Sequence, residues 1–64
     1  MVKVNGTQME AAGMTVARLV EQEGYDRARV AVECNEAIVP KAAYDSTVLQ
    51  DGDSVEIVGF VGGG

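Results

Sequence analysis

The sequence contains no histidine, no tryptophan and a single cysteine, Cys34. Structural zinc sites and iron–sulfur clusters need several Cys or His ligands, and an internal disulfide needs a second cysteine. A catalytic triad that uses histidine is excluded for the same reason. The sequence also shows no nucleophile and base that are placed to act together, so we do not expect an enzyme.

Basic residues are few. Five Lys and Arg stand against ten Asp and Glu, which gives a net charge of −5. Because such a chain cannot neutralise a phosphate backbone or an anionic lipid surface, neither nucleic acid nor a membrane is an expected partner. No apolar run approaches the roughly 20 residues that a membrane span needs, and no leader pattern is visible. Together with the lack of disulfides, this predicts a cytoplasmic protein.

The chain has 64 residues, which is enough for one small domain and too few for two. Hydrophobic residues make up 47 % of the sequence and charged residues 23 %. This balance is typical of a globular domain and too apolar for a disordered chain. We therefore expect a single folded unit.

The start of the chain has the pattern of a β-hairpin. Val2 and Val4 occupy alternate positions, as in a strand with one buried face. The pair Asn5-Gly6 that follows is the one a two-residue type I′ turn prefers. A return strand from residue 7 to about residue 10 then places Thr7 on the same face as the two valines.

A short helix is predicted over residues 16–23. Thr15 is a suitable N-cap, and Gly24 stands where a left-handed residue commonly ends a helix. The helix has an apolar stripe with the i, i+3, i+4 spacing, formed by Val16, Leu19 and Val20. A helix this short needs packing to be stable, so we expect the stripe to cover the apolar face of a sheet.

Three further strands are predicted, over residues 29–34, 37–39 and 54–61, with a short helical turn over residues 40–44. The last strand follows the turn sequence Asp51-Gly52-Asp53. One mixed β-sheet packed on one main helix is an α+β architecture. Residues 1–61 are thus expected to form the domain, and residues 62–64 a flexible glycine tail.

The tail consists of Gly62, Gly63 and Gly64. Glycine loses more conformational entropy on ordering than any other residue and offers no side chain for packing, so these residues do not stabilise the fold. A segment without Cβ atoms is able to enter a narrow channel in a partner and present the α-carboxylate of Gly64. A frayed terminus without a role is the alternative interpretation.

The end of the chain resembles that of bacterial sulfur carriers of the ThiS type. Residues 51–64 read DGDSVEIVGFVGGG, which is similar to the C-terminal signature of that family. The Asn-Gly turn, the GMTV segment at residues 13–16 and the NEAIVP segment at residues 35–40 are similar as well. The chain departs from the commonest family ending only at Gly62, where a bulkier residue often precedes the glycine pair.

This resemblance implies the ubiquitin-like β-grasp fold, which agrees with the elements predicted above. It also implies that the carboxylate of Gly64 is adenylated and converted to a thiocarboxylate, which donates sulfur for thiazole formation in thiamine biosynthesis. The implied partners are a ThiF-like adenylating enzyme, a ThiG-like thiazole synthase and a sulfur donor such as a cysteine desulfurase. The adenylating partner uses ATP and magnesium, while this chain itself binds no cofactor or metal and acts as a protein co-substrate.

Other functions are also compatible with this sequence. The small subunit of molybdopterin synthase shares the fold, tail and activation chemistry, although such proteins are typically longer. A thiocarboxylate carrier for another sulfur pathway, or conjugation to proteins in the manner of ubiquitin, is also compatible with the tail. From a different class, a β-grasp domain can serve as a non-covalent interaction module, for which the terminal carboxylate is dispensable.

Strand alternation also predicts a docking surface. If Val55 and Ile57 point towards the helix, Val58 and Phe60 point away from it, beside the tail. We hypothesise that these two residues form an apolar patch on which partners dock. In the alternative, Phe60 folds back over the edge of the small core.

Two roles are compatible with the acidic side chains. They are expected either to steer the carrier to basic partners or simply to keep its surface soluble, and the sequence favours no particular members of the set Glu33, Glu36, Asp51, Asp53 and Glu56.

Three remaining side chains are assigned to the core or its edge. Cys34 lies on the inward phase of a valine-rich strand, so a core position is expected and not a persulfide role. Tyr25 and Tyr44 are expected to cover the edges of the core with their hydroxyls in water.

Overall fold

The computed structural model describes residues 1–59. They form five strands, one α-helix and two short 3₁₀ helices, Arg27–Arg29 and Lys41–Ala43. The strands and the helix follow the chain as β1 (Val2–Val4), β2 (Thr7–Met9), α1 (Val16–Gln22), β3 (Val30–Cys34), β4 (Ala37–Val39) and β5 (Ser54–Gly59).

The five strands form one mixed sheet in the order β2-β1-β5-β3-β4. Strands β1 and β5 run parallel, and every other neighbouring pair is antiparallel. The sheet with its single helix confirms the predicted α+β architecture. Strand β5 lies at the centre, so the strand that leads to the C-terminal residues is paired on both sides.

The predicted hairpin at the start of the chain is confirmed. Asn5 and Gly6 have φ angles of 48° and 84°, and positive values at both positions are what a type I′ turn requires. Thr7 pairs with Val4 in the expected register. Its side chain is nevertheless exposed, because β2 is an edge strand.

The first turn of α1 has its backbone donors satisfied. The Oγ1 atom of Thr15 accepts a hydrogen bond from the N–H of Arg18 at 3.1 Å, which confirms the predicted N-cap. The two preceding N–H groups, of Val16 and Ala17, donate to the carbonyl oxygens of Thr47 and Tyr44 at 2.9 Å. The start of the helix is therefore joined to the segment between β4 and β5.

The end of α1 is a Schellman motif. Gly24 has a φ of 84°, and its N–H donates to the carbonyl of Glu21 at 3.0 Å. The N–H of Tyr25 donates to the carbonyl of Val20, also at 3.0 Å. These two bonds are those that define the motif, so Gly24 has the predicted C′ role.

The core lies between α1 and the inner face of the sheet. Val16, Leu19 and Val20 are buried, which confirms the predicted helix stripe. The remaining buried side chains are Val2, Val4, Ala11, Val30, Val32, Val39, Tyr44, Leu49, Val55 and Ile57. No polar or charged residue is buried among residues 1–59.

The expected position of Tyr44 at the edge of the core is wrong, because its side chain is only 1 % exposed. The segment that carries it folds across the start of α1, where the Tyr44 carbonyl accepts the Ala17 N–H. This contact holds the aromatic ring inside the core. Tyr25 is 37 % exposed, as expected for an edge position.

Candidate functional site

The residues predicted to carry the chemistry, Gly62, Gly63 and Gly64, lie outside the described residues, and so does Phe60. The predicted strand over residues 54–61 is described as far as Gly59. The geometry of the candidate site is therefore that of β5 and of the sheet surface around it.

The predicted alternation along β5 is confirmed over its described length. Val55 and Ile57 are 1 % and 5 % exposed, whereas Glu56 and Val58 point to solvent. Val58 is 56 % exposed. Of the two predicted docking residues, Val58 thus lies on the outer face of the sheet, opposite the face covered by α1.

Neighbouring strands add apolar surface around Val58. Ala31 of β3 is its direct cross-strand neighbour. Ile38 of β4 lies on the same outer face and is 76 % exposed. We call Ala31, Ile38 and Val58 the outer-face patch. The sequence alone did not indicate Ile38, although the pairing of Val39 with the inward Val32 requires Ile38 to point outward.

Carboxylates border this patch. Glu33 pairs directly with Glu56 across β3 and β5 and with Ile38 across β3 and β4. Glu36 follows in the turn between β3 and β4, and with the other two it lines a shallow depression that also includes Asn35 and Ser54. None of the ion pairs formed within residues 1–59 involves these three glutamates.

The pairing of Glu33 with Glu56 is electrostatically unfavourable, since like charges directly opposite each other destabilise a sheet. A basic partner surface would relieve this repulsion. The structure thus distinguishes three carboxylates from the larger set that the sequence left equivalent.

Cys34 is half-buried and packs against the core. Burial raises the pKa of its thiol, and the negative charge of Asp53 adds to this shift. Because the thiolate and not the thiol is the reactive form, this environment favours a packing role. In the part of the chain that the structure covers, no group of three or more His, Cys, Asp and Glu is placed to hold a metal ion.

Residues 1–59 contain no membrane-spanning helix. The single α-helix within residues 1–59 is seven residues long. No helix in this range has the length and apolar content needed to cross a bilayer.

Comparison with known proteins identifies the family. The model of the ThiS family matches residues 2–64. The chain is 37 % identical over 54 residues to the sulfur carrier protein ThiS of Escherichia coli, which covers 84 % of this chain and 82 % of that protein. It is also 47 % identical over 62 residues to a thiazole synthase of Paramagnetospirillum magneticum.

The match to the thiazole synthase covers 95 % of this chain and 19 % of the relative. The chain therefore spans about a fifth of the length of that enzyme. A second thiazole synthase, from Magnetococcus marinus, shows the same relation, with 41 % identity and 20 % of its length covered.

The fold is also that of a solved relative. The crystal structure of the thiamine biosynthesis protein ThiS from Geobacter metallireducens superposes with a TM-score of 0.77 at 33 % identity, over 98 % of this chain and 97 % of that one. This match confirms the β-grasp fold. The chain therefore belongs to the ThiS family of ubiquitin-like sulfur carriers.

Proposed function

We propose that this chain carries sulfur as a thiocarboxylate on Gly64, for formation of the thiazole ring in thiamine biosynthesis. The observation that carries the proposal is the match of the ThiS family model over residues 2–64, which include all three glycines. The composition of the tail supports it, because three consecutive glycines place no side chain around the terminal carbonyl carbon.

The proposed reaction needs an activated carboxylate. A carboxylate oxygen of Gly64 attacks the α-phosphorus of ATP in a ThiF-like enzyme with magnesium, pyrophosphate leaves, and an acyl-adenylate forms. A sulfur nucleophile then attacks the carbonyl carbon and AMP leaves. When the donor is a persulfide, such as that of a cysteine desulfurase, a thiol cleaves the S–S bond of the resulting acyl disulfide and releases the thiocarboxylate.

In this reaction the side chains of the carrier perform no chemistry. The adenylating enzyme supplies the electrostatic stabilisation that phosphoryl chemistry requires. The carrier contributes a terminus that reaches a foreign active site and a surface that positions it there. The raised pKa of the Cys34 thiol is consistent with this division of roles.

A ThiG-like thiazole synthase is the proposed acceptor of the sulfur. Two curated thiazole synthases contain a segment similar to nearly the whole of this chain, and that segment makes up about a fifth of each protein. A carrier-like segment within the synthase polypeptide supports a physical association between the two activities.

We further propose that partners dock on the outer-face patch together with Phe60. Val58 and Ile38 are the exposed aliphatic side chains of this face. Glu33 and Glu56 flank them and favour a partner surface that is apolar at its centre and basic at its rim. The patch lies beside the end of β5, so a partner bound there is close to the residues that lead to Gly64.

The mass of the intact carrier tests the thiocarboxylate. After incubation with the adenylating enzyme, Mg-ATP and a sulfur source, the proposal predicts exchange of one oxygen for one sulfur atom. A variant that lacks Gly64 is expected to keep its fold, as judged by circular dichroism, and to show no exchange. An unchanged mass for the full chain, under conditions in which the E. coli carrier is converted, would refute the proposed function.

A further inference from the structure

The side chain of Asn5 continues the pairing of β1 with β5 after β1 itself has ended. The backbone N–H of Asn5 donates to the carbonyl of Val55 at 2.9 Å. The N–H of Ile57 then donates to Oδ1 of Asn5 at 2.8 Å, and Nδ2 of Asn5 donates to the carbonyl of Ile57 at 3.3 Å. One side-chain amide thus satisfies both backbone groups of Ile57 that face β1.

This arrangement replaces backbone that a longer strand would supply. In a parallel ladder, one residue bonds to two residues of its neighbour that are two positions apart. Asn5 begins this pattern with its own N–H, but the chain turns away at Asn5 and Gly6, whose φ angles are 48° and 84°. The carboxamide offers an acceptor and a donor in the same geometry as a peptide group, so the ladder extends to Ile57.

The contact between Asn5 and Ile57 lies near the C-terminal end of β5, the strand that leads to the glycine tail. The register of β1 with β5 ends at the pair Val4 and Val55. On the other side, β3 pairs with β5 as far as Gly59. Without Asn5, the last residues of β5 would be held by β3 alone.

We propose that Asn5 is a positioning residue that sets the direction in which the chain leaves the sheet towards Gly64. This inference rests on the proposed function, because it concerns the delivery of Gly64 to a partner site. The contact is between residues 52 positions apart, so it forms only in the folded domain. A small error in the direction of a reacting group has a large effect on rate, since productive geometry must be reached before chemistry begins.

Asn35 provides a matched control at the opposite end of β5. It also has a positive φ, 52°, in the turn between β3 and β4. Its Oδ1 accepts the N–H of Ser54 at 3.0 Å, and its Nδ2 donates to Asp53 at 3.0 Å. The two asparagines therefore have the same backbone conformation and bond to the same strand, but only Asn5 lies near its C-terminal end.

The test compares Asn5→Gly, Asn5→Asp and Asn35→Gly. Glycine and aspartate both tolerate the left-handed turn position, so the hairpin is kept, whereas alanine would strain it. Asn5→Gly removes both side-chain bonds, and Asn5→Asp keeps the acceptor for the Ile57 N–H while losing the donor. For each folded variant, hydrogen exchange of the Ile57 and Ser54 amides and the steady-state kinetics of carrier adenylation are measured.

For Asn5→Gly we expect exchange of the Ile57 amide to rise roughly tenfold, the size expected for loss of one hydrogen bond. The kcat for adenylation is expected to fall by about tenfold, with the KM for the carrier changed less than about twofold, because docking is retained and delivery is impaired. For Asn5→Asp, both the exchange rate of the Ile57 amide and the kcat for adenylation should lie between those of the wild type and Asn5→Gly. Asn35→Gly should raise exchange at Ser54 and leave kcat unchanged. Because Asn35 lies beside the glutamates of the proposed docking surface, any effect of this variant on docking is expected in KM and not in kcat.

Wild-type kcat in a folded Asn5→Gly variant with faster Ile57 exchange would overturn the proposal, and so would an equal loss of kcat in Asn35→Gly. Failure of the wild-type chain to be adenylated would instead refute the proposed function. In that case, the positioning role of Asn5 is tested separately by residual dipolar couplings of the Val58 and Gly59 amides in the free carrier. Identical couplings in wild type and Asn5→Gly would refute this role.

Discussion

Tyr44 connects the core to the surface of the domain. Its side chain is 1 % exposed and is among the largest that the core encloses. The guanidinium group of Arg27 lies over the ring, with 5.4 Å between its central carbon and the ring centroid. Arg27 in turn pairs with Asp45 at 3.0 Å. One aromatic residue is thus packed on its inner side and covered by a cation on its outer side.

Replacement of Tyr44 by alanine is expected to lower the free energy of unfolding by about 3 kcal/mol or more, the range found for large aromatic side chains removed from cores. Tyr25→Ala is the matched control, since Tyr25 is 37 % exposed, and we expect a loss of about 1 kcal/mol because less area is buried. Urea unfolding followed by circular dichroism measures both. Equal losses would contradict the central position of Tyr44.

Two turns meet where β5 begins. Asp53 accepts a hydrogen bond from the N–H of Gln50 at 2.8 Å and one from Nδ2 of Asn35 at 3.0 Å. The first of these bonds, followed by the second, lowers the pKa of the Asp53 carboxyl. The ionised carboxylate therefore ties the turn before β5 to the turn between β3 and β4.

This predicts a pH-dependent effect of Asp53→Asn. Because the pKa of Asp53 is lower in the folded than in the unfolded chain, its charged form stabilises the fold above the ordinary carboxyl pKa of about 3.9. That contribution is lost as the pH falls through the folded pKa. Thermal unfolding of wild type and variant should differ at pH 7 and converge in acid. A difference independent of pH would contradict the ionic role of Asp53.

On the scale of the whole molecule, the two faces of the sheet differ in burial and in proposed role. Helix α1 covers the inner face and completes the core. The outer face keeps the outer-face patch and the carboxylates of Glu33 and Glu56 in solvent. Strand β5 contributes to both faces and also leads to the glycine tail. Strand alternation in one central strand therefore separates the residues of the core from those of the proposed docking surface.

The substitution Val58→Ser tests whether partners dock on the outer-face patch. We expect it to weaken binding to the adenylating enzyme by about tenfold, because an exposed apolar side chain at the centre of an interface is lost. Val48→Ser is the matched control: Val48 is 52 % exposed, but it pairs with Thr15 beside the helix and not with the sheet. Titration calorimetry measures both affinities. Equal effects of the two substitutions would argue against docking on the outer face.

Local features of the fold were predictable, and those that depend on distant partners were not. The Asn5-Gly6 turn and the Thr15 cap rest on preferences of neighbouring residues, and both are confirmed. The predicted strands left Asn35 and Glu36 as the connection between them, but the conformation of this turn was not predicted. Glu36 has a φ of 68°. Glutamate rarely adopts such an angle, so a glutamate at this position does not indicate a turn.

The five strands, the α-helix, their inward faces and the glycine ending follow from the sequence, because each depends on residues within a few positions of one another. The 3₁₀ helix Arg27–Arg29 was not predicted, and Arg29, predicted to begin a strand, lies in it. Three features appear only in the folded domain: Tyr44 enters the core, Glu33 and Glu56 become neighbours, and Asn5 bonds to Ile57. The physical reason is the same in each case. These contacts join residues far apart along the chain, and their energies are gained only after the intervening loops have closed.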